Sequence, residues 1–126
     1  MTPLEFLAVV LPPPEFGRYC IAELTKKEHV FTHDLDDAPA HIKRWLDSKY
    51  DIYFALATFG DEDNRLAVNA RYVKSLFIDM DGYASKKDAA QALSAFLSKT
   101  GMDALGTPYV VGSGGGLHCY WPLMEA

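Results

Sequence analysis

The stretch "TPYVVGSGGGLHCYWPL", Thr107–Leu123, decides the fold. Two apolar runs, "TPYVVGS" and "LHCYWPL", flank a glycine-rich link. A link so short joins antiparallel strands as a hairpin. Side chains alternate along a strand, so His118 and Tyr120 share one face. Leu117, Cys119 and Trp121 share the other.

The segments before this hairpin supply helices and further strands. Ser85 reads as a helix N-cap with Asp88 three residues on, an approximate capping box. The helix that follows carries an apolar stripe at Ala89, Leu93, Phe96 and Leu97, and Gly101 is its C-terminal cap. "VKSLFIDMD" (Val73–Asp81) reads as a strand, "GDEDNR" (Gly60–Arg65) as a charged loop, and "DIYFALATF" (Asp51–Phe59) as a central strand. "LDDAPAHIKRWLDSKY" places Ala38, Ile42, Trp45 and Leu46 on one helical face, with Asp37 as cap and Pro39 in the first turn. Arg18–Leu24 and "VFTHD" (Val30–Asp34) are short strands about a polar turn. At the start, Thr2 caps a helix with Pro3 at its first position, and Pro12–Pro14 stop it. Mixed strands and helices with a terminal hairpin predict an α+β fold, a mixed or antiparallel sheet with flanking helices, not a doubly wound parallel sheet.

The chain has 126 residues, 49% of them hydrophobic, which predicts a single domain over 1–126 with a packed core. Net charge is −5, so the surface as a whole does not attract nucleic acid, although a local basic groove is compatible with it. Cys20 and Cys119 form no Cys-x-x-Cys pair, and their apolar surroundings predict buried thiols in a reducing compartment. The start lacks a basic region and carries Glu5 within its apolar run, so neither a signal peptide nor a membrane span is expected. A cytoplasmic location follows. His29, His33 and His41 lie close in sequence to Asp34, Asp36 and Asp37, a group that reads as an exposed loop and helix cap rather than a zinc site.

"SLFIDMDGY" (Ser75–Tyr83) carries two aspartates one residue apart at the end of an apolar strand. Asp79 and Asp81 therefore point the same way, and Leu76, Ile78 and Met80 point oppositely. Two repelling carboxylates in that place suit a hard divalent cation, Mg²⁺ or Mn²⁺, which keeps positions open for phosphate oxygens. The alternative is a helix cap by one Asp and a solvated turn by the other. Gly112, Gly114, Gly115 and Gly116 around Ser113 allow backbone N–H groups to approach an anion. His118 is placed to donate to a phosphate oxygen or act as an acid or base. No Gly-Lys-Ser/Thr is present, so this is not a Walker loop.

An apolar strand ending in Asp-x-Asp, then a helix, then "SGGGLHCYW" resembles the archaeo-eukaryotic primase superfamily, in particular the primase-polymerase domains of phages and plasmids. Its second motif is a small residue, any residue, then His, as in Gly116, Leu117 and His118. The likeness runs from about Asp51 onward. It implies an RRM-like sheet and template-directed DNA primase or polymerase chemistry on nucleoside triphosphates. It implies that Asp79 and Asp81 hold the metal ions, that His118 contacts the triphosphate, and that Ser113, Gly114, Gly115 and Gly116 support it. Template DNA and a helicase domain or protein are the implied partners, and host cytoplasm the implied location if the chain is phage-encoded. The family's third motif, a later apolar residue with Asp or Glu, has no match, and Glu125 follows His118 too closely to stand in. The expectation is the N-terminal part of a larger catalytic domain, with an incomplete site and an exposed sheet edge able to pair with another copy.

Two other readings compete. "FIDMDGY" also resembles the first motif of haloacid-dehalogenase-type phosphatases, which implies Asp79 as nucleophile and Asp81 as acid/base. Tyr83 departs from that pattern. An RRM-like nucleic-acid-binding module without catalysis is the third reading, since Phe77 shares the face of Asp79 and aromatic rings stack on bases. Arg65, Arg71, Lys74, Lys86 and Lys87 surround the aspartate strand, and some are expected to steer template or triphosphate.

Overall fold

The computed structural model describes residues 1–123. They pack as two compact units, Met1–Lys74 and Ser75–Leu123, each with its own buried cluster. The fold is α+β, and every strand pair is antiparallel. Among the described residues the strands form three small sheets, and one continuous RRM-like sheet is not seen.

In the N-terminal unit, helix α1 spans Pro3–Val10. Thr2 and Glu5 close a reciprocal capping box at its start, with Pro3 in the first turn. Strands β1 (Tyr19–Glu23) and β2 (Glu28–Thr32) form a hairpin, and β3 (Ile52–Phe54) pairs on the far side of β1. Helix α2 (Ala38–Asp47) buries Ala38 and Trp45, which pack with Ile21. Leu46 departs from the expected stripe and is exposed. Asp37 does not cap α2 through its side chain, because its carboxylate accepts from the Thr32 hydroxyl instead.

The apolar run Asp51–Phe59 is not one strand. It breaks after β3, and β4 (Ala57–Phe59) pairs with β5 (Ala70–Val73) in a separate two-stranded sheet. The break serves two partners: Ala55 N–H donates to Cys20 O beside β1, whereas Phe59 N–H donates to Arg18 O. Arg18 then fastens the charged loop. Its guanidinium donates to the carbonyls of Gly60 and Glu62 and pairs with Asp63 at 2.7 Å.

Glu23 is a buried carboxylate at the β1–β2 turn, where Lys27 adopts a left-handed backbone. Desolvation pushes its pKa up, but backbone N–H donors from Lys26, Glu28 and Thr25 outweigh this and hold it below the usual value. A lowered folded-state pKa stabilises above the unfolded value of about 4.3, and that stability is lost as pH falls through the folded pKa. Acid titration of urea stability should therefore fall below about pH 4.3 in the native chain. Glu23→Gln should flatten that decline; an unchanged acid slope would remove Glu23 from the account.

In the C-terminal unit, β6 (Ser75–Met80) leads to helix α3 (Lys86–Thr100) and then to the hairpin of β7 (Tyr109–Ser113) and β8 (Gly116–Pro122). Ser85 accepts from Asp88 N–H, and Gly101 ends the helix with φ +77°, as the sequence predicts. The order is β6-β8-β7. Both outer strands run antiparallel to β8, so β6 and β7 are parallel with a strand between them. With β8 inserted between them, β6, α3 and β7 make a split β-α-β unit.

Helix α3 covers one face of that sheet. Met80, Leu117, Cys119 and Trp121 pack with Ala89 and Leu93, joined by Ile78 and Leu97. Phe96, expected in the stripe, is exposed. Among the described residues no helix is long and apolar enough to cross a membrane.

Candidate functional site

The face of the C-terminal sheet turned away from α3 carries the exposed Phe77 and Asp79 and the half-buried His118, with Ser75 and Tyr120 buried on the same face. Alternation sends Ile78, Met80, Leu117 and Cys119 into the helix-side core, so Phe77, Asp79, His118 and Tyr120 face away from it. Phe77 stands opposite Tyr120, and Asp79 opposite His118. The Phe77 ring lies 5.3 Å from the His118 ring, edge to face, and 5.1 Å from that of Tyr120. His118 Nε2 is 3.5 Å from Asp79 Oδ1, a contact that becomes an ion pair when the imidazole is protonated. Both side chains remain accessible to solvent.

Asp81 follows the end of β6 and is exposed. Its Oδ1 accepts from the N–H of Gly82, whose φ of +80° suits glycine. The hairpin turn reaches the same place. A Cβ at Gly115 would lie 3.0 Å from Asp81 Oδ1. A Cβ at Gly116 would overlap the Met80 carbonyl oxygen and lie 2.9 Å from its carbon. Close approach of two backbones thus sets Gly116 alone; Gly115 meets only the Asp81 side chain, Gly114 meets nothing within 4 Å, and neither of these two is left-handed. Ser113 pairs with Gly116 at the mouth of the turn and is half-buried.

The structure therefore gathers Asp79 with His118, and Asp81 with the glycine turn, at one end of one sheet. It puts Gly112 on the helix side, where the Lys86 ammonium sits 2.6 Å from the place a Cβ would take. Arg71 is engaged locally, donating to the carbonyls of Val68 and Ala70. Tyr109 lies on the same face, opposite the buried Tyr120, a placement that follows from the period of two. Glu125 lies outside the described residues.

Asp79 also shapes the potential within the sheet. Burial pushes the Cys119 thiol and the Tyr120 phenol up, and the nearby Asp79 carboxylate raises both further. Both groups stay protonated at neutral pH, so neither is a nucleophile there.

The donor chemistry fits a hard cation. Two accessible carboxylates offer oxygen atoms, and Mg²⁺ is commonly held by one or two such groups plus phosphate oxygens. Among the described residues no group of three or more His, Cys, Asp or Glu is arranged to hold a metal by itself. No family model, curated protein or solved structure matches the chain.

Proposed function

We propose that the Ser75–Leu123 unit carries the triphosphate-binding half of a nucleotidyl transferase of the primase-polymerase kind. The observation behind this reading is the facing pair Asp79 and His118 beside Asp81 and the Gly114–Gly116 turn. Asp79 and Asp81 would hold Mg²⁺ or Mn²⁺, which supplies positive charge to offset the phosphates. His118 donates to a phosphate oxygen, and Asp79 fixes the ring that does so. The small turn residues let the triphosphate approach the backbone without meeting side chains. The nucleophile is the 3′-hydroxyl of the growing strand, aligned on template DNA, so the chain contributes positioning and charge rather than a covalent intermediate. The reading needs a third carboxylate, and the described residues do not supply one beside Asp79 and Asp81.

Binding of a fluorescent nucleoside triphosphate tests it. Affinity should require Mn²⁺ and fall at least about tenfold in Asp79→Asn, the scale on which loss of a charged contact acts. Unchanged binding in a folded Asp79→Asn chain would refute the assignment. A phosphate burst from a generic phosphomonoester would favour the dehalogenase-type phosphatase.

One observation favours a second reading. Phe77 is 42% exposed beside the half-buried His118 ring, which leaves one aromatic ring open to stack on a base, while the neighbouring Tyr120 is buried. In a binding module, single-strand affinity survives chelation and drops in Phe77→Ala by about 1–3 kcal/mol.

A further inference from the structure

We infer that β7 is a self-pairing edge: two copies of the chain join antiparallel through Tyr109–Ser113, with Val111 on the two-fold axis. This does not rest on the nucleotide reading.

Among the described residues β7 has a strand neighbour on one side only, β8. Among the described residues, no backbone hydrogen bond outside that ladder involves Tyr109–Ser113. Such an edge offers a row of donors and acceptors to another strand. Natural edges are blunted by charge, proline, a bulge or a covering element. The sequence "YVVGS" has neither charge nor proline, and its register with β8 runs without a bulge. Helix α3 packs on Cys119 but leaves the neighbouring Val110 48% exposed, and Tyr109 and Val111 are exposed too. The opposite edge differs. Strand β6 bears Asp79, and a charge on an edge opposes pairing.

The occupant follows from self-complementarity. Antiparallel pairing about Val111 sets Val110 against Gly112 and Tyr109 against Ser113, in both directions at once. The paired residues carry no charge, Tyr109 and Val110 each face a smaller side chain, and Val111 faces its own copy. A two-fold contact of this kind closes on itself. The result is a six-stranded sheet ordered β6-β8-β7-β7-β8-β6. Because pairing residues share a face, the partner's Tyr109 stands beside Ser113 of the glycine hairpin. Five residues per strand bury less than a standard interface, so the dimer forms and dissociates with concentration.

Cysteine crosslinking of the full chain reads the register. Residues directly opposite lie about 4.5–5.5 Å apart between Cα atoms, within disulfide reach. Two Tyr109 positions, four register steps apart, are separated by about 14 Å. Native Cys20 and Cys119 are buried and do not compete. Under mild oxidation, Val111→Cys should crosslink at least about tenfold faster than Tyr109→Cys, while sedimentation of Val111→Lys should shift toward monomer. Circular dichroism checks that each variant is folded. Equal crosslinking at both positions, or a monomer at every concentration, overturns the proposal. Capture by β7 of an unrelated extended peptide by a monomeric chain overturns it equally.

Discussion

Gly116→Ala should destabilise the C-terminal unit by about 3 kcal/mol or more, at the upper end of overpacking costs. The atoms that a new Cβ meets are all backbone: the Met80 carbonyl oxygen and carbon, and the Asp81 Cα at 3.1 Å. Backbone in a paired strand cannot rotate away as a side-chain tip can. Relief requires β8 to move from β6, and that separates Asp79 from His118. Gly114→Ala is the control. It has no neighbour within 4 Å and no left-handed φ, so its cost should stay within about 0.5 kcal/mol. Urea denaturation monitored by far-UV circular dichroism compares the two. Similar midpoints would mean that the strands are not held this closely.

Trp45→Ala should cost the N-terminal unit about 3–5 kcal/mol, the range for a large aromatic removed from a core. Trp45 is 1% exposed and joins Ile21 and Ala38, with Val30, Ile42, Tyr50 and Ile52 packed around them. Its Nε1–H also donates to Glu28 Oε2 at 3.2 Å. Such a loss is comparable with the whole stability of a small domain, so this variant should be largely unfolded near 37 °C. Trp45→Phe separates the two contributions. It keeps most of the ring and loses the donor, for a loss nearer 1–2 kcal/mol. Near-UV circular dichroism and a thermal melt decide the matter. A native melt for Trp45→Ala would show that α2 does not need its anchor.

Local signals in the sequence carried the elements whose determinants are local. The Thr2 cap, the Ser85 cap and the Gly101 terminus are each set within four residues, and each is found where the sequence places it; the return bond from Glu5 to Thr2 is an addition. The alternation in "LHCYW" correctly separated the α3-facing Leu117, Cys119 and Trp121 from His118 and Tyr120, because the period of two holds whatever the partner strand is, but it did not show that Tyr120 would be buried too. Pairing is a different kind of fact. Nothing between Asp51 and Phe59 announces that Ile52–Phe54 will choose β1 while Ala57–Phe59 chooses β5. The choice depends on Arg18 and Ala70, which are distant in sequence. Likewise Leu46 and Phe96 have helical spacing but lack a facing element, so periodicity alone overstated both stripes. At the site, the two motifs were legible separately. That Asp79 faces His118 depended on β8 entering between β6 and β7, and composition does not encode that order.

That central position of β8 has a consequence for biosynthesis. Ser75 pairs with Pro122, so the first strand of the unit meets its partner only when nearly all the intervening chain has been made. At about 5–20 residues per second, β6 waits several seconds without its ladder. During that interval Leu76, Phe77 and Ile78 form an unpaired apolar segment with Asp79 at its end. The aspartate, read above as a ligand, then also acts as a gatekeeper that keeps the nascent strand from pairing with its neighbours on the same messenger. Its removal should therefore lower soluble yield during synthesis as well as affinity in the finished protein.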